Sequence, residues 1–155
     1  MIDFERLFHT GVRVPDLDKA RAELGASLGL TWATPVEWQQ PVWTPEAGTR
    51  TFPLRFTYSC EGPMHVELLD GAPGSPWDAG DAPGAHHLGV WVDDVPSEVD
   101  AVVAAGWRIV AAAASPEEGF GTFAYLAPPA GLIVEVVAAR AKPRFEAWWA
   151  GGSLG

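Results

Sequence analysis

The chain has 155 residues, 48% of them apolar, a formal net charge of −10 and a single cysteine. That length suits one domain, or two small modules sharing a core. The charge argues against nucleic acid, whose backbone demands clustered Lys and Arg, and Cys60 alone excludes an internal disulfide framework and a cysteine-rich zinc or iron–sulfur site. A lone cysteine suits a reducing cytosol. The opening residues, MIDFERLFHT, carry acids and no long apolar run, so no signal peptide is expected. No stretch reaches the roughly 20 apolar residues of a membrane helix. A cytoplasmic protein with no nucleic-acid or membrane partner is expected.

The first half begins with LFHTGVRVPDL, Leu7 to Leu17. Strand alternation puts His9, Gly11 and Arg13 on one face and Phe8, Thr10, Val12 and Val14 on the other. An acid-opened amphipathic stretch follows and predicts a helix that stops at Gly29. The segment TPVEWQQPVWTPEAGTR, Thr34 to Arg50, is Pro-rich and carries Trp38 and Trp43. It reads as a long loop, expected to act as a lid over a ligand. Two strands come next, TFPLRFTYSC and MHVELLDG, the second placing His65, Glu67 and Leu69 on one face. DGAPGSPWDAGDAPGA, Asp70 to Ala85, is Gly/Pro-rich and reads as a linker.

The second half writes the phrase again. HHLGVWVDDV repeats the His, the Gly-Val two residues later and the acidic helix opening. His87, Gly89, Trp91 and Asp93 share a face, and a predicted helix ends near Gly106. His9 to Gly29 is 20 residues and His87 to Gly106 is 19. Beta-rich GFGTFAYLAP and LIVEVVA follow, with Glu135 on the face of Ile133 and Val137. The pattern is β-α-β-β-β written twice, and self-similarity of this kind outranks any local reading. The tail KPRFEAWWAGGSLG is expected to form a short helix laying Trp148 and Trp149 on the body.

Each half therefore offers one His and one Glu among apolar neighbours. Taken singly, a strand His is usually a satisfied structural residue. A buried Glu without a partner, however, is costly. Two of each, related by the repeat, find a simple resolution by converging on one divalent metal whose charge the two carboxylates cancel.

In these motifs the chain resembles the vicinal oxygen chelate superfamily, which contains glyoxalase I, methylmalonyl-CoA epimerase, extradiol dioxygenases and bleomycin-binding proteins. The resemblance runs from Leu7 to about Val137 and rests on FHTGVRVPDLDKA, HVELLDG, HHLGVWVDD and GLIVEVV. It implies an α+β fold in which two β-α-β-β-β modules pair into a cupped, partly closed barrel. The whole chain, 1–155, would be a single such domain: module 1 at about 5–70, a linker at about 71–85, module 2 at about 86–140 and a short tail. It also implies ligand positions at His9, Glu67, His87 and Glu135 around one divalent ion per chain: Ni, Co, Mn, Fe or Zn. His87 is preferred to His86 because Leu-Gly-Val after it matches Thr-Gly-Val after His9, although a one-residue slip would exchange them.

The chemistry so implied is a metal-dependent isomerase, epimerase or lyase that stabilises an enolate or enediolate next to a carbonyl. Glu67 or Glu135 is the candidate base, and His65 the other candidate proton carrier. Trp91, Trp38 and Trp43 suggest an apolar or aromatic small-molecule substrate, with Arg13 and Arg55 available for a carboxylate or phenolate. Core packing and a subunit contact account for the tryptophans equally well, and a homodimer is expected. Two other readings stay open: a protein that sequesters an antibiotic, and an extradiol-type dioxygenase using two histidines and one glutamate around iron(II).

Overall fold

The computed structural model describes residues 1–80 and 82–155. Its described residues form eight strands, β1 Leu7–Arg13, β2 Val36–Thr44, β3 Gly48–Tyr58, β4 His65–Gly71, β5 Gly84–Val92, β6 Arg108–Ala112, β7 Phe123–Ala127 and β8 Val134–Ala138. Three α-helices accompany them: α1 Leu17–Leu28, α2 Val95–Ala104 and α3 Lys142–Trp149. The strands form a closed mixed barrel in the order β1-β4-β3-β2-β6-β7-β8-β5. The fold is α+β, and β-α-β-β-β occurs twice along the chain, as expected.

Two compact units divide the chain. One comprises Met1–Phe8, Pro41–Thr51 and His87–Lys142; the other comprises His9–Gln40, Phe52–His86 and Pro143–Gly155.

In the second of these units, Asp16 opens α1 by accepting the Lys19 N–H at 2.9 Å, and Gly29 closes it with φ 69°. The helix buries Leu17 against Val14 and Leu68, with Val12, Leu24, Trp32 and Val66 packed around them. Thus the β1 face opposite His9 is the one that meets the helix. β1 runs parallel to β4, and β4 runs antiparallel to β3. α3 lies in this unit from Pro143 onward, and its Trp148 is fully buried, donating its indole N–H to the Thr34 carbonyl at 2.9 Å.

The first unit repeats the logic. Asp94 caps α2 through the Ser97 N–H, and Pro96 occupies the first turn, where its missing N–H costs nothing. Val95, Val99 and Val102 of α2 pack on Val92, Ala112, Leu126 and Val136. β5 runs parallel to β8, with β7 antiparallel to both β8 and β6.

One expectation needs correction. The Pro-rich stretch 34–50 is not a lid loop: it holds β2 and the turn into β3, where Gly48 takes φ 67°. Burial along Val36–Val42 alternates with period two, Glu37, Gln39 and Pro41 being exposed and the residues between them covered. That alternation decides strand over loop despite the prolines. The stretch supplies the second β-strand of the first module, which the chain would otherwise lack.

Residues 74–80, after β4, are held by contacts of their own. Asp78 accepts the Gly74 and Gly80 N–H groups at 2.8 and 2.9 Å, and Trp77 is only 1% exposed. A Cβ on Gly71 would lie 2.6 Å from that of Trp77, so glycine is required for the indole to seat there.

Candidate metal centre

In one unit the parallel β1–β4 ladder sets His9 opposite His65 and Gly11 opposite Glu67. The glycine leaves no side chain beside the carboxylate, and His9, two residues back on the same face, reaches across. His9 Nε2 lies 3.4 Å from Glu67 Oε2. Both residues are buried, His9 completely.

The other unit carries the same arrangement. Gly89 stands opposite Glu135 in the parallel β5–β8 ladder, and His87 Nε2 lies 3.3 Å from Glu135 Oε2. His87 is buried, whereas His86 is partly exposed, so the expected choice between the neighbouring histidines agrees with burial.

One ligand atom from each of His9, Glu67, His87 and Glu135 lies within 4.8 Å of all the others. Two buried carboxylate oxygens this close repel each other unless a proton or a cation lies between them. Ligands about 2.1 Å from a common ion stand ~3.0–3.4 Å apart when adjacent, in octahedral or tetrahedral order. The two His–Glu separations match that spacing and are longer than a good N–H···O hydrogen bond. Two imidazoles and two carboxylates are donors of the borderline-to-hard kind that suits Zn, Ni, Co, Fe or Mn. The cluster fits a divalent cation.

His65 is the cross-strand partner of His9 in the β1–β4 ladder. Its Nδ1 donates to the Ser59 carbonyl at 2.7 Å, which leaves Nε2 the acceptor in the neutral ring. The ring stacks on Trp149 at 3.8 Å, and burial holds its pKa below the usual histidine range against the pull of the Ser59 carbonyl. Arg55 is engaged on the surface by Asp18, Glu37 and Asp70. Arg13 donates to the Ala82 carbonyl at 3.3 Å. Trp91 is 5% exposed and stacks on Phe8 at 3.7 Å. Trp38 tilts against Phe56, while Trp43 packs against the cluster around α2.

Two residues escaped sequence reasoning. Tyr58 and Tyr125 are the only tyrosines in the chain, and each lies edge-on to a cluster histidine. The signal was present in the RFTYSC and TFAYLA strands of the repeat, but the hairpins that follow differ in length and hid the correspondence.

Residues 8–125 match the family model described as the glyoxalase/bleomycin resistance protein/dioxygenase superfamily. The chain belongs to this superfamily. The match ends before Glu135, whose place rests on the β8 register just described. Solved structures of the superfamily fold are similar at low identity. A hypothetical protein from Bacillus halodurans C-125 aligns with a TM-score of 0.61 at 19% identity, covering 85% of this chain and 92% of its own. A variant methylmalonyl-CoA epimerase from Streptomyces coelicolor, in complex with 2-nitronate-propionyl-CoA, gives 0.58 at 18% identity over 86% and 96% of the two chains. A mutant 4-hydroxymandelate synthase from Streptomyces coelicolor gives 0.53 at 22% identity, covering 86% of this chain and 37% of that one. No curated protein sequence matches the chain. No helix among the described residues is long and apolar enough to cross a membrane.

Proposed function

We propose that this superfamily member is a metal-dependent isomerase, epimerase or lyase acting next to the carbonyl of a small apolar or aromatic substrate. The observation that carries the reading is the buried set of two imidazoles and two carboxylates within 4.8 Å. His9, Glu67, His87 and Glu135 would hold one divalent ion per chain. Bound there, the ion supplies Lewis acidity to a carbonyl oxygen.

The chain's own residues do the rest. His9 and His87, neutral when they ligate, orient the centre without adding charge. Glu67 and Glu135 balance the cation, and one of them takes the proton next to the carbonyl and returns it. Burial of all four keeps water from competing for that proton and strengthens each charge interaction. His65, with its Nε2 an acceptor, is the second candidate for the proton. Trp38 and Trp91 are proposed to shape an apolar pocket, with Arg13 and Arg55 candidates for a substrate anion; Trp43 packs on the α2 cluster instead. The fold it shares with methylmalonyl-CoA epimerase supports proton transfer next to a carbonyl, while a net charge of −10 disfavours a polyphosphate-bearing ester as this chain's substrate.

Solvent isotope exchange tests the reading. The metal-loaded protein should wash deuterium from D2O into a suitable carbonyl compound, and Glu135→Gln should slow the exchange by about 10²-fold or more. A sequestering protein would return its ligand unlabelled. Oxygen consumption on adding ligand would replace the reading with a dioxygenase.

A further inference from the structure

We propose that Tyr58 and Tyr125 are positioning residues that set the ring planes of His9 and His87 for ligation. The inference rests on the metal reading above and adds two residues to it. Three independent features of the structure coincide at these positions. Tyr58 is the direct cross-strand partner of Glu67 in the β3–β4 ladder, and Tyr125 that of Glu135 in the β7–β8 ladder. Each ring meets a histidine of the cluster in an edge arrangement: 5.1 Å and 68° for Tyr58 on His9, 4.9 Å and 61° for Tyr125 on His87. Both are buried, at 3% and 2% exposure.

A chain with only two tyrosines has placed both at equivalent points of its repeat. Tyr58 precedes Glu67 by nine residues and Tyr125 precedes Glu135 by ten, so only the strand pairing makes them equivalent.

The physical role follows from what a ligating imidazole needs. Its nitrogen must point at the ion, and rotation about the terminal side-chain torsion, which is broad and soft, misdirects it. An edge-to-face ring contact favours one plane over the others. The tyrosines are themselves fixed. Tyr58 is walled by Phe145, Trp148 and Trp149 at 5.6, 5.7 and 5.8 Å, and Tyr125 by Phe123 at 5.5 Å. The tail helix α3 therefore acts on the centre indirectly, by holding the ring that holds His9. Phe56 is the internal contrast. It is equally buried two residues before Tyr58, yet it contacts Trp38 and Trp148 and pairs with Leu69 rather than with a ligand.

The test is a Co(II) titration read by visible absorption, made on wild type, Tyr58→Phe, Tyr58→Leu, Tyr58→Met, the same three changes at Tyr125, and Phe56→Leu. Each is assayed where circular dichroism shows it folded. The ring-keeping Phe variants should bind Co(II) within about threefold of wild type. The ring-removing variants should bind about 10–100-fold more weakly, with an altered ligand-field spectrum. Phe56→Leu should lower the thermal midpoint and leave affinity and spectrum unchanged. Wild-type affinity in the Leu and Met variants overturns the inference and leaves the metal reading standing. So does a Phe variant as weak as its Leu counterpart, because the hydroxyl would then be the active part. Failure of wild type itself to bind Co(II) overturns the metal reading and this inference together.

Discussion

Glu135 stands directly opposite Gly89 across the parallel β5–β8 ladder, and two residues back on β5 the His87 imidazole reaches its carboxylate at 3.3 Å. Glu67, Gly11 and His9 repeat the relationship across β1–β4. The glycine is thus part of the arrangement. It leaves the space beside the carboxylate free of a side chain on a face that is otherwise packed.

A side chain at that glycine should therefore disturb the centre. Gly89→Val is expected to weaken divalent-metal binding by 10-fold or more and to destabilise the fold by about 1–3 kcal/mol through overpacking. Val90→Ala, on the helix-facing side of the same strand, should cost comparable stability with metal affinity retained. Isothermal titration with urea unfolding on both variants separates the two effects.

Purified protein should hold about one divalent ion per chain by elemental analysis. Excess metal at about 100 times its dissociation constant should stabilise the fold by about 2.7 kcal/mol, and a chelator should remove the gain. His9→Ala and Glu135→Ala should each lose both the ion and the thermal shift. Normal metal content in both variants would show the ligand assignment to be wrong.

Trp38 and Trp43 are five residues apart on β2, so alternation turns them to opposite faces, and they cannot cover one ligand as a pair. Trp43 packs on the α2 cluster. Trp43→Ala should lower the unfolding free energy by about 2–3 kcal/mol, since a partly buried Trp contributes less than the full core value, and leave metal content unchanged. The urea midpoint checks the first expectation and metal analysis the second.

Glu61 ties two loops together by accepting the Thr31 hydroxyl at 2.6 Å and the Thr31 N–H at 3.0 and 3.1 Å. The hydroxyl first, then the backbone N–H, holds its carboxyl below the usual glutamate range. Its contribution is therefore present above the unfolded-state pKa and is lost as pH falls through the folded one. Because the side chain is exposed, the effect is small. Urea midpoints of wild type and Glu61→Gln should differ at pH 7 and converge as the pH falls below the lowered folded-state pKa. A difference that persists at the acid end would show that the carboxylate charge is not its source.

The duplicated His-x-Gly-Val phrase with its acid-capped helix, and the two Val-Glu strands, determined by themselves the α+β class, the repeated β-α-β-β-β order and the His9, Glu67, His87 and Glu135 set. Those features are local: period-two alternation, capping chemistry and costly polar residues on apolar strands are readable without knowing what lies across the sheet. What only the tertiary structure decided is long-range. Prolines in 34–50 suggested a loop, but pairing into the sheet made it β2. His65 donates to the Ser59 carbonyl and stacks on Trp149, contacts that its place on the strand of Glu67 does not reveal. Tyr58 and Tyr125 became equivalent only when hairpins of unequal length brought each opposite its glutamate. Registry between strands depends on turn length and on the packing of both faces at once, and neither is written in the residues of one strand.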